Sequence, residues 1–192
     1  RADWALQQQP VTVTADVCER SAGGIHDFYS EGDYWWPNPN DPNGPYIQKD
    51  GLSNPGNFTA HRKAMIRFSQ VMGYLGSAYL IKPDDKYVHH AFRHLNAWFI
   101  DTATKMNPSL LYAQAIKGRV TGRGVGIIDM IQMMEVAQAL QPFVTGNLQK
   151  VLISVTLWLP YLLVSKRVNL TFRHRIRVRG TQNGMPGMAL AA

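Results

Sequence analysis

The sequence predicts an all-α fold of helical hairpins, preceded by a long loop rich in aromatic residues. Apolar residues recur every three to four positions over most of residues 57–140, which is the period of an amphipathic helix. Neither an alternation of strands and helices nor an internal repeat is visible. The 192 residues are 45% hydrophobic, enough to bury a core as one domain or a large piece of one. The single cysteine, Cys18, excludes a disulfide framework.

Residues 21–58 are predicted to form an ordered loop. Glycine, proline, asparagine and aspartate are too dense there for regular structure, and four prolines between 37 and 45 break helices and remove strand donors. The same stretch carries seven aromatic side chains, which a floppy linker would not need. Long ordered loops of this kind are usually functional.

Four helices are predicted between the loop and Leu140. The first starts at Asn57 or Thr59 and ends near Pro83, and the second starts at an Asp84 N-cap and ends before Asn107. A short helix is expected at Leu110–Ile116, and a longer one from about Gly126 to Leu140. A further helix is predicted within 148–163. Helices of this length with short connections indicate hairpins.

The charge divides the chain into two parts. Residues 1–142 carry 13 basic and 13 acidic side chains, whereas residues 143–192 carry seven basic side chains and no acid, so the whole net charge of +7 lies in this tail. Phe172 is the only aromatic residue that neighbours these cations in sequence, and no nucleic-acid motif is present, so we predict no nucleic-acid partner. The apolar run from Val151 to Val164 is too short for a membrane span.

Three groups of residues are candidates for ligand binding. Tyr34, Trp36 and Asn38 lie in the loop, where aromatic faces suit sugar rings and polar groups suit hydroxyls. The alternative is that the tryptophans anchor the loop to the helices. We expect one tryptophan in each role.

The second group is His61-Arg62, at the first turn of the first long helix, where a cation would strengthen an anion site. The alternative is that His61 is a buried, hydrogen-bonded histidine and that Arg62 pairs with a loop acid such as Asp50. The third group is Gln114, Lys117, Arg119 and Arg123 in the glycine-rich stretch AQAIKGRVTGRGVGIID, where three cations in seven residues form a patch for an anionic ligand. Its alternative is a tight turn whose arginines face solvent or pair with Asp129 and Glu135.

No cofactor or metal is predicted. His90 and His94 share a helix face, but no acidic residue lies near them in sequence to complete a ligand set. The glycine-rich stretch lacks the spacing of a phosphate-binding loop.

The motifs SAGGIHDFYSEGDYWWPNP, PYIQKDGLSNPGNF, MNPSLLYAQAIKGRVTGRGVGIID and MIQMMEVAQAL closely resemble the catalytic domain of the alginate lyase family, over residues 18–141. The resemblance implies an (α/α) toroid, incomplete here, and export to the periplasm or cell surface. It also implies β-elimination at a uronic acid of an anionic polysaccharide. By motif alignment it implies substrate binding by Tyr34, Trp36, Asn38, His61, Arg62, Gln114, Arg119 and Arg123.

Family catalysis commonly needs an Asn-Asn-His-Gly motif and a tyrosine downstream of the glycine-rich stretch, and this chain has no such motif. The catalytic residues are therefore not assigned. We divide the chain into 1–142, the N-terminal part of a lyase-like domain, and 143–192, a basic tail whose composition suggests a shifted reading frame. The alternative function is a carbohydrate-binding remnant that lacks a base. The sequence gives no indication of oligomeric state.

Overall fold

The computed structural model describes residues 1–143. Its α-helices are α1 (Ala2–Gln7), α2 (Ala60–Ile81), α3 (Asp85–Phe99) and α4 (Gln132–Leu140). Its strands are β1 (Tyr29–Glu31), β2 (Trp35–Trp36), β3 (Ile47–Gln48) and β4 (Tyr112–Ala115). Short 3-10 helices cover Val13–Ala15, Gly124–Met130 and Gln141–Phe143.

The predicted first long helix is confirmed as α2. Its apolar period buries Met65, Phe68, Met72 and Leu75 on one face. The helix ends at Ile81, because Pro83 cannot continue it. Asp84 is confirmed as the N-cap of α3, since its side chain accepts a hydrogen bond from the Lys86 amide at 3.0 Å.

Helix α2 forms the centre of the core, where it contacts α1, α3 and α4. Phe68 of α2 stacks on Trp98 of α3 with ring centroids 5.0 Å apart. On the side of α4, Gly76 lies so close to Ala139 that an added Cβ would come within 2.6 Å of the Ala139 carbonyl oxygen. The backbones of the two helices therefore meet without an intervening side chain.

The prediction of an all-α fold is wrong. Helices account for only 45% of the structure, and two small sheets accompany them. β1 pairs with β4 in parallel, and β2 pairs with β3 in an antiparallel hairpin that places Trp35 opposite Gln48 and Trp36 opposite Ile47. Strand pairing thus satisfies part of the backbone hydrogen bonds of the loop. β2 and β3 pair within the loop, whereas β1 pairs with a strand more than eighty residues away.

Two local predictions are corrected as well. The helix expected at Leu110–Ile116 is strand β4, because its backbone pairs with β1. The helix expected from Gly126 begins as the 3-10 helix Gly124–Met130 and becomes α-helical only at Gln132.

The incomplete toroid is also not what the described part of the chain forms. Helices α2 and α3, joined by residues 82–84, pack together, and α4 packs on α2 beside the sheets. Among residues 1–143, no helix is both long and apolar enough to cross a bilayer. The helix predicted within 148–163 lies outside the described residues.

Candidate functional site

A buried polar cluster lies where β1, β4, the start of α2 and the 3-10 helix Gly124–Met130 meet. We call it the Asp129 network, and it consists of Ser30, Arg62, Gln114, Arg123 and Asp129. Asp129 is 8% exposed and accepts hydrogen bonds on both carboxylate oxygens. Ser30 Oγ donates to Oδ2, and Gln114 Nε2 lies 3.2 Å from Oδ1 and 3.3 Å from Oδ2. The network thus brings three predicted site residues, Arg62, Gln114 and Arg123, to one place.

Arg62 joins this network to the loop. Its Nη1 donates to Asp33 Oδ1 at 2.7 Å, and its Nη2 donates to the carbonyl oxygen of Glu31. Its Nε lies 3.5 Å from Asp129 Oδ1 and makes no hydrogen bond within the described residues. The predicted alternative of a loop acid as partner is therefore correct in kind, but the acid is Asp33 rather than Asp50.

Gln114 holds an uncommon backbone conformation in the centre of the network. Its φ of 55° lies in the left-handed region, which a non-glycine residue adopts only when its surroundings hold it there. Arg123 Nε donates to the Gln114 carbonyl at 2.7 Å, and Arg123 Nη2 donates to Gln114 Oε1 at 3.1 Å. Burial lowers the pKa of Arg123 below its ordinary value, and the charge of Asp129 partly compensates.

His61 is buried and uses both ring nitrogens inside the protein. Its Nδ1 accepts the Tyr29 backbone N–H at 3.0 Å, so the ring proton is on Nε2, which donates to the Asp16 carbonyl at 2.9 Å. Burial lowers the pKa of His61, which keeps the imidazole neutral. This arrangement matches the predicted alternative in which His61 is a buried, hydrogen-bonded histidine. The two hydrogen bonds hold β1 against the start of α2.

The loop and the glycine-rich turn form a second cluster, in which each of three aromatic rings faces a cation. Lys49 Nζ lies 4.9 Å from the Trp36 ring centroid, the Arg119 guanidinium 5.2 Å from that of Trp35, and Lys117 Nζ 5.7 Å from that of Tyr46. Arg119 Nε also donates to the Tyr46 carbonyl at 2.7 Å. We call these six residues the aromatic–cation band: Trp35, Trp36, Tyr46, Lys49, Lys117 and Arg119.

Both tryptophans of the band are half-buried. Trp36 donates its indole N–H to the Leu52 carbonyl at 2.8 Å. Trp35 lies against Gly32, where an added Cβ would come within 2.7 Å of its ring and 2.6 Å of Arg123 Nη2. Gly32 therefore allows the band and the Asp129 network to approach each other.

The remaining predicted loop residues, Tyr34 and Asn38, lie on either side of strand β2. Tyr34 is exposed, and its backbone carbonyl accepts the Lys49 N–H at 2.8 Å. Asn38 is half-buried, and its Oδ1 accepts the Asn40 N–H at 3.0 Å in a turn. Neither residue contacts the Asp129 network.

Sequence reasoning did not find a third cluster, formed by Arg20, Tyr29 and Glu31. Arg20 binds both carboxylate oxygens of Glu31, at 2.6 and 2.7 Å, and Tyr29 donates its hydroxyl proton to Glu31 at 3.0 Å. Burial by itself would raise the pKa of Glu31, but the hydrogen bonds from Arg20, the Phe58 amide and Tyr29 outweigh it and lower that pKa. Burial and the adjacent Glu31 charge raise the pKa of Tyr29. No local pattern marks these residues.

His90 and His94 bind the N-terminal segment. Both Nε2 atoms donate to the Gln8 carbonyl, at 2.9 and 3.1 Å. Within residues 1–143, no group of three or more histidine, cysteine or acidic side chains is placed to hold a metal ion.

Comparisons with known proteins match the part of the chain that carries these clusters. A family model described as alginate lyase matches residues 12–156, so the match ends fourteen residues after Pro142. The crystal structure of an alginate lyase from Bacteroides ovatus superposes with a TM-score of 0.77 at 36% sequence identity. The match covers 87% of this chain and 46% of that one, so the chain spans about half the length of that enzyme. Among curated proteins, no sequence matches the chain.

Proposed function

Because the chain belongs to the alginate lyase family, we propose that it is part of a polysaccharide lyase that cleaves a uronic-acid polymer by β-elimination. The substrate is an anionic polysaccharide, alginate or a related polyuronate. The observation that carries the proposal beyond family membership is the aromatic–cation band, in which each of three rings faces a cation.

The chemistry of β-elimination explains why such a surface is useful. The proton at C5 of a uronate is weakly acidic, so its removal requires a base and neutralisation of the adjacent carboxylate. A polyuronate presents a carboxylate on each sugar and an apolar face on each ring. Cations beside aromatic rings match both features. We assign the band to substrate binding, together with Tyr34 and Asn38, which flank the Trp35–Trp36 strand.

The Asp129 network supports the band rather than supplying the reacting groups. Arg62 is engaged by Asp33, and Gln114 and Arg123 bind each other, so these side chains hold the glycine-rich turn against β1. Tyr29 is a poor base, because its raised pKa keeps it protonated. We propose that the base comes from outside residues 1–143.

Incubation of the chain with polymannuronate, polyguluronate and glucuronan tests the proposal. A lyase generates unsaturated uronates, which are followed by their ultraviolet absorbance, whereas a carbohydrate-binding remnant retains the polymer without releasing product. Binding to polyuronates and not to neutral glycans is expected in both cases. Failure to bind any of the three polymers would reject the assignment.

A variant pair tests the contribution of the band. Trp36→Ala removes one ring from it, and Trp4→Ala removes a ring that instead packs on Tyr74. We expect Trp36→Ala to weaken polyuronate binding about 10-fold, equivalent to about 1.4 kcal/mol, and Trp4→Ala to leave it unchanged. Equal affinities of the two variants for polyuronate would show that the band is not part of the binding surface.

Export to the periplasm or cell surface is part of the same proposal, and it rests on the family resemblance alone. Fractionation of the source cells, followed by detection of the chain with an antibody, tests it. Recovery in the cytoplasmic fraction would contradict it.

A further inference from the structure

A cavity of about 740 Å³ opens beside the turn formed by residues 116–122. One wall is that turn, with Lys117, Arg119 and Thr121, and the other contains Glu19, Arg20 and Tyr29. Its volume is within the range of sites that bind small ligands, roughly 300 to 1,000 Å³. Through Lys117 and Arg119 it continues into the aromatic–cation band.

The cations of this cavity differ in how far they are neutralised. Arg20 donates hydrogen bonds from Nε and Nη2 to the two oxygens of the Glu31 carboxylate, so its charge is largely neutralised. Lys117 and Arg119 have no carboxylate within ion-pair distance in the described part of the chain. Lys117 contacts the Tyr46 ring, and Arg119 contacts the Tyr46 carbonyl and the Trp35 ring. Glu19 is exposed at the rim. The cavity therefore favours an anion, and Lys117 carries the charge that is least engaged.

The shape of the turn keeps these two cations at the cavity. Residues Ile116 and Val120 form a bridge, and Gly118 between them has a φ of 73°. A Cβ at Gly118 would come within 2.7 Å of Pro45 Cα, so the turn packs closely on the loop that carries Tyr46. Lys117 and Arg119 are thus held by backbone packing and not by an acidic partner.

We infer that this cavity is a subsite for a single uronate residue, whose carboxylate is bound by Lys117 with Arg119 beside it. The inference rests on the proposed function and adds Lys117 as the residue that binds the carboxylate. Thr121 offers a hydroxyl to the sugar, and Tyr29 closes the base of the cavity. A free inorganic anion such as phosphate has the negative charge of a uronate but no sugar ring. An experiment that compares the two ligands can therefore distinguish a uronate subsite from a general anion site.

Lysine acetylation of the full chain, read by mass spectrometry, tests the inference directly. An oligomannuronate or oligoguluronate should slow the acetylation of Lys117 at least about 5-fold, while a neutral mannan oligomer should not. Lys63 and Lys86, both exposed and outside the cavity, are the internal controls. Equal protection by phosphate at the same concentration would overturn the assignment to a sugar acid.

The pattern of protection also separates this inference from the proposed function. Protection of Lys49 without protection of Lys117 would place the polymer on the band but outside the cavity, and would overturn the inference alone. Protection of neither lysine would contradict both.

A variant pair gives an independent measurement. Lys117→Gln should weaken oligouronate binding about 10-fold, and Lys117→Arg should restore most of it, whereas Lys63→Gln should have no effect. Methyl esterification of the uronates should abolish the difference between wild type and Lys117→Gln. Thr121→Val is a second test, which leaves the charge in place and should weaken binding less than Lys117→Gln. Wild-type affinity of Lys117→Gln for unesterified oligouronate would overturn the inference.

Discussion

Ser30 and Gln114 lie 84 positions apart in sequence, yet the Gln114 amide donates a hydrogen bond of 2.8 Å to Ser30 Oγ. The same hydroxyl donates its proton to Asp129. One small side chain therefore connects the parallel strands β1 and β4 to the 3-10 helix that follows. The left-handed backbone of Gln114 is held at this connection.

Replacement of Ser30 by alanine should destabilise the fold by about 2 to 3 kcal/mol. It would leave the buried Gln114 amide without its acceptor and remove the hydroxyl donor from Asp129 Oδ2, which would keep only the longer contact of 3.3 Å to Gln114 Nε2 among the described residues. Buried polar groups that lose a hydrogen bond are costly inside a protein. Ser53→Ala, in an exposed part of the loop, is the matched control and should change the free energy of unfolding little. Urea denaturation measures both. A Ser30→Ala protein as stable as the control would contradict the connecting role of the hydroxyl.

The two acidic partners of Arg62 should differ in their contribution to stability. The Asp129 side chain is almost fully buried, whereas that of Asp33 is 46% exposed. Asp129→Asn should cost about 3 kcal/mol or more, because it breaks a buried charged network. Asp33→Asn should cost about 1 kcal/mol or less, because solvent screens that pair. Thermal unfolding of the two variants measures the difference, and equal losses would show that burial does not set the contribution.

Stability should fall when the pH is lowered from about 6.5 towards 4. Burial lowers the pKa of His94 to about 4, and the electrostatic effects of the neighbouring side chains His90, Arg93 and Arg67 act in the same direction. The unfolded chain therefore binds a proton in this interval that the folded chain does not, so the stabilisation is complete above about pH 6.5 and is lost as the pH falls.

Measurement of the unfolding midpoint against pH tests this sign. His94→Gln should flatten the profile between pH 6.5 and 4, while His89→Gln, at an exposed position, should leave its slope unchanged. His61 contributes in the same direction through its own lowered pKa, so the His94 variant should retain part of the slope. A profile that rises as the pH falls through this interval would contradict the prediction.

Two glycines of α2 should respond oppositely to alanine. A Cβ at Gly76 would meet the Ala139 backbone of α4, whereas a Cβ at Gly73 would meet no atom within 4 Å. Gly76→Ala should therefore destabilise by about 1 to 3 kcal/mol through overpacking. Gly73→Ala should stabilise by roughly 0.5 to 1 kcal/mol, since alanine is the better helix former. Chemical denaturation of the two single variants provides the comparison, and the same sign for both would refute it.

Local sequence patterns predicted the helices well and the strands poorly. The apolar period through Met65, Phe68 and Leu75 located α2, and Asp84 marked the start of α3, because both signals lie within a few residues of the structure they specify. The pairing of Tyr112 with Tyr29 joins segments more than eighty residues apart, so no local signal separated β4 from a short helix.

The same distinction applies to the candidate site. The glycine-rich motif made Gln114, Arg119 and Arg123 candidates, since their residue types and spacing are visible in sequence, and their role in substrate binding stays a prediction. Patterns could not distinguish Asp33 from Asp50 as the partner of Arg62, because the choice depends on how the loop folds back on β1. The Arg20–Glu31 pair was missed for a similar reason, since neither residue belongs to a recognisable motif.

The contacts of Lys49, Lys117 and Arg119 with aromatic rings also bear on the thermodynamics of association. A long cationic side chain ordinarily loses conformational entropy when a ligand immobilises it, at a cost of about 0.5 to 1.5 kcal/mol per side chain. In this chain each of the three is already placed over a ring before any ligand arrives. Much of that ordering is therefore completed during folding, and a polyanion that bound as we propose would meet a preorganised surface.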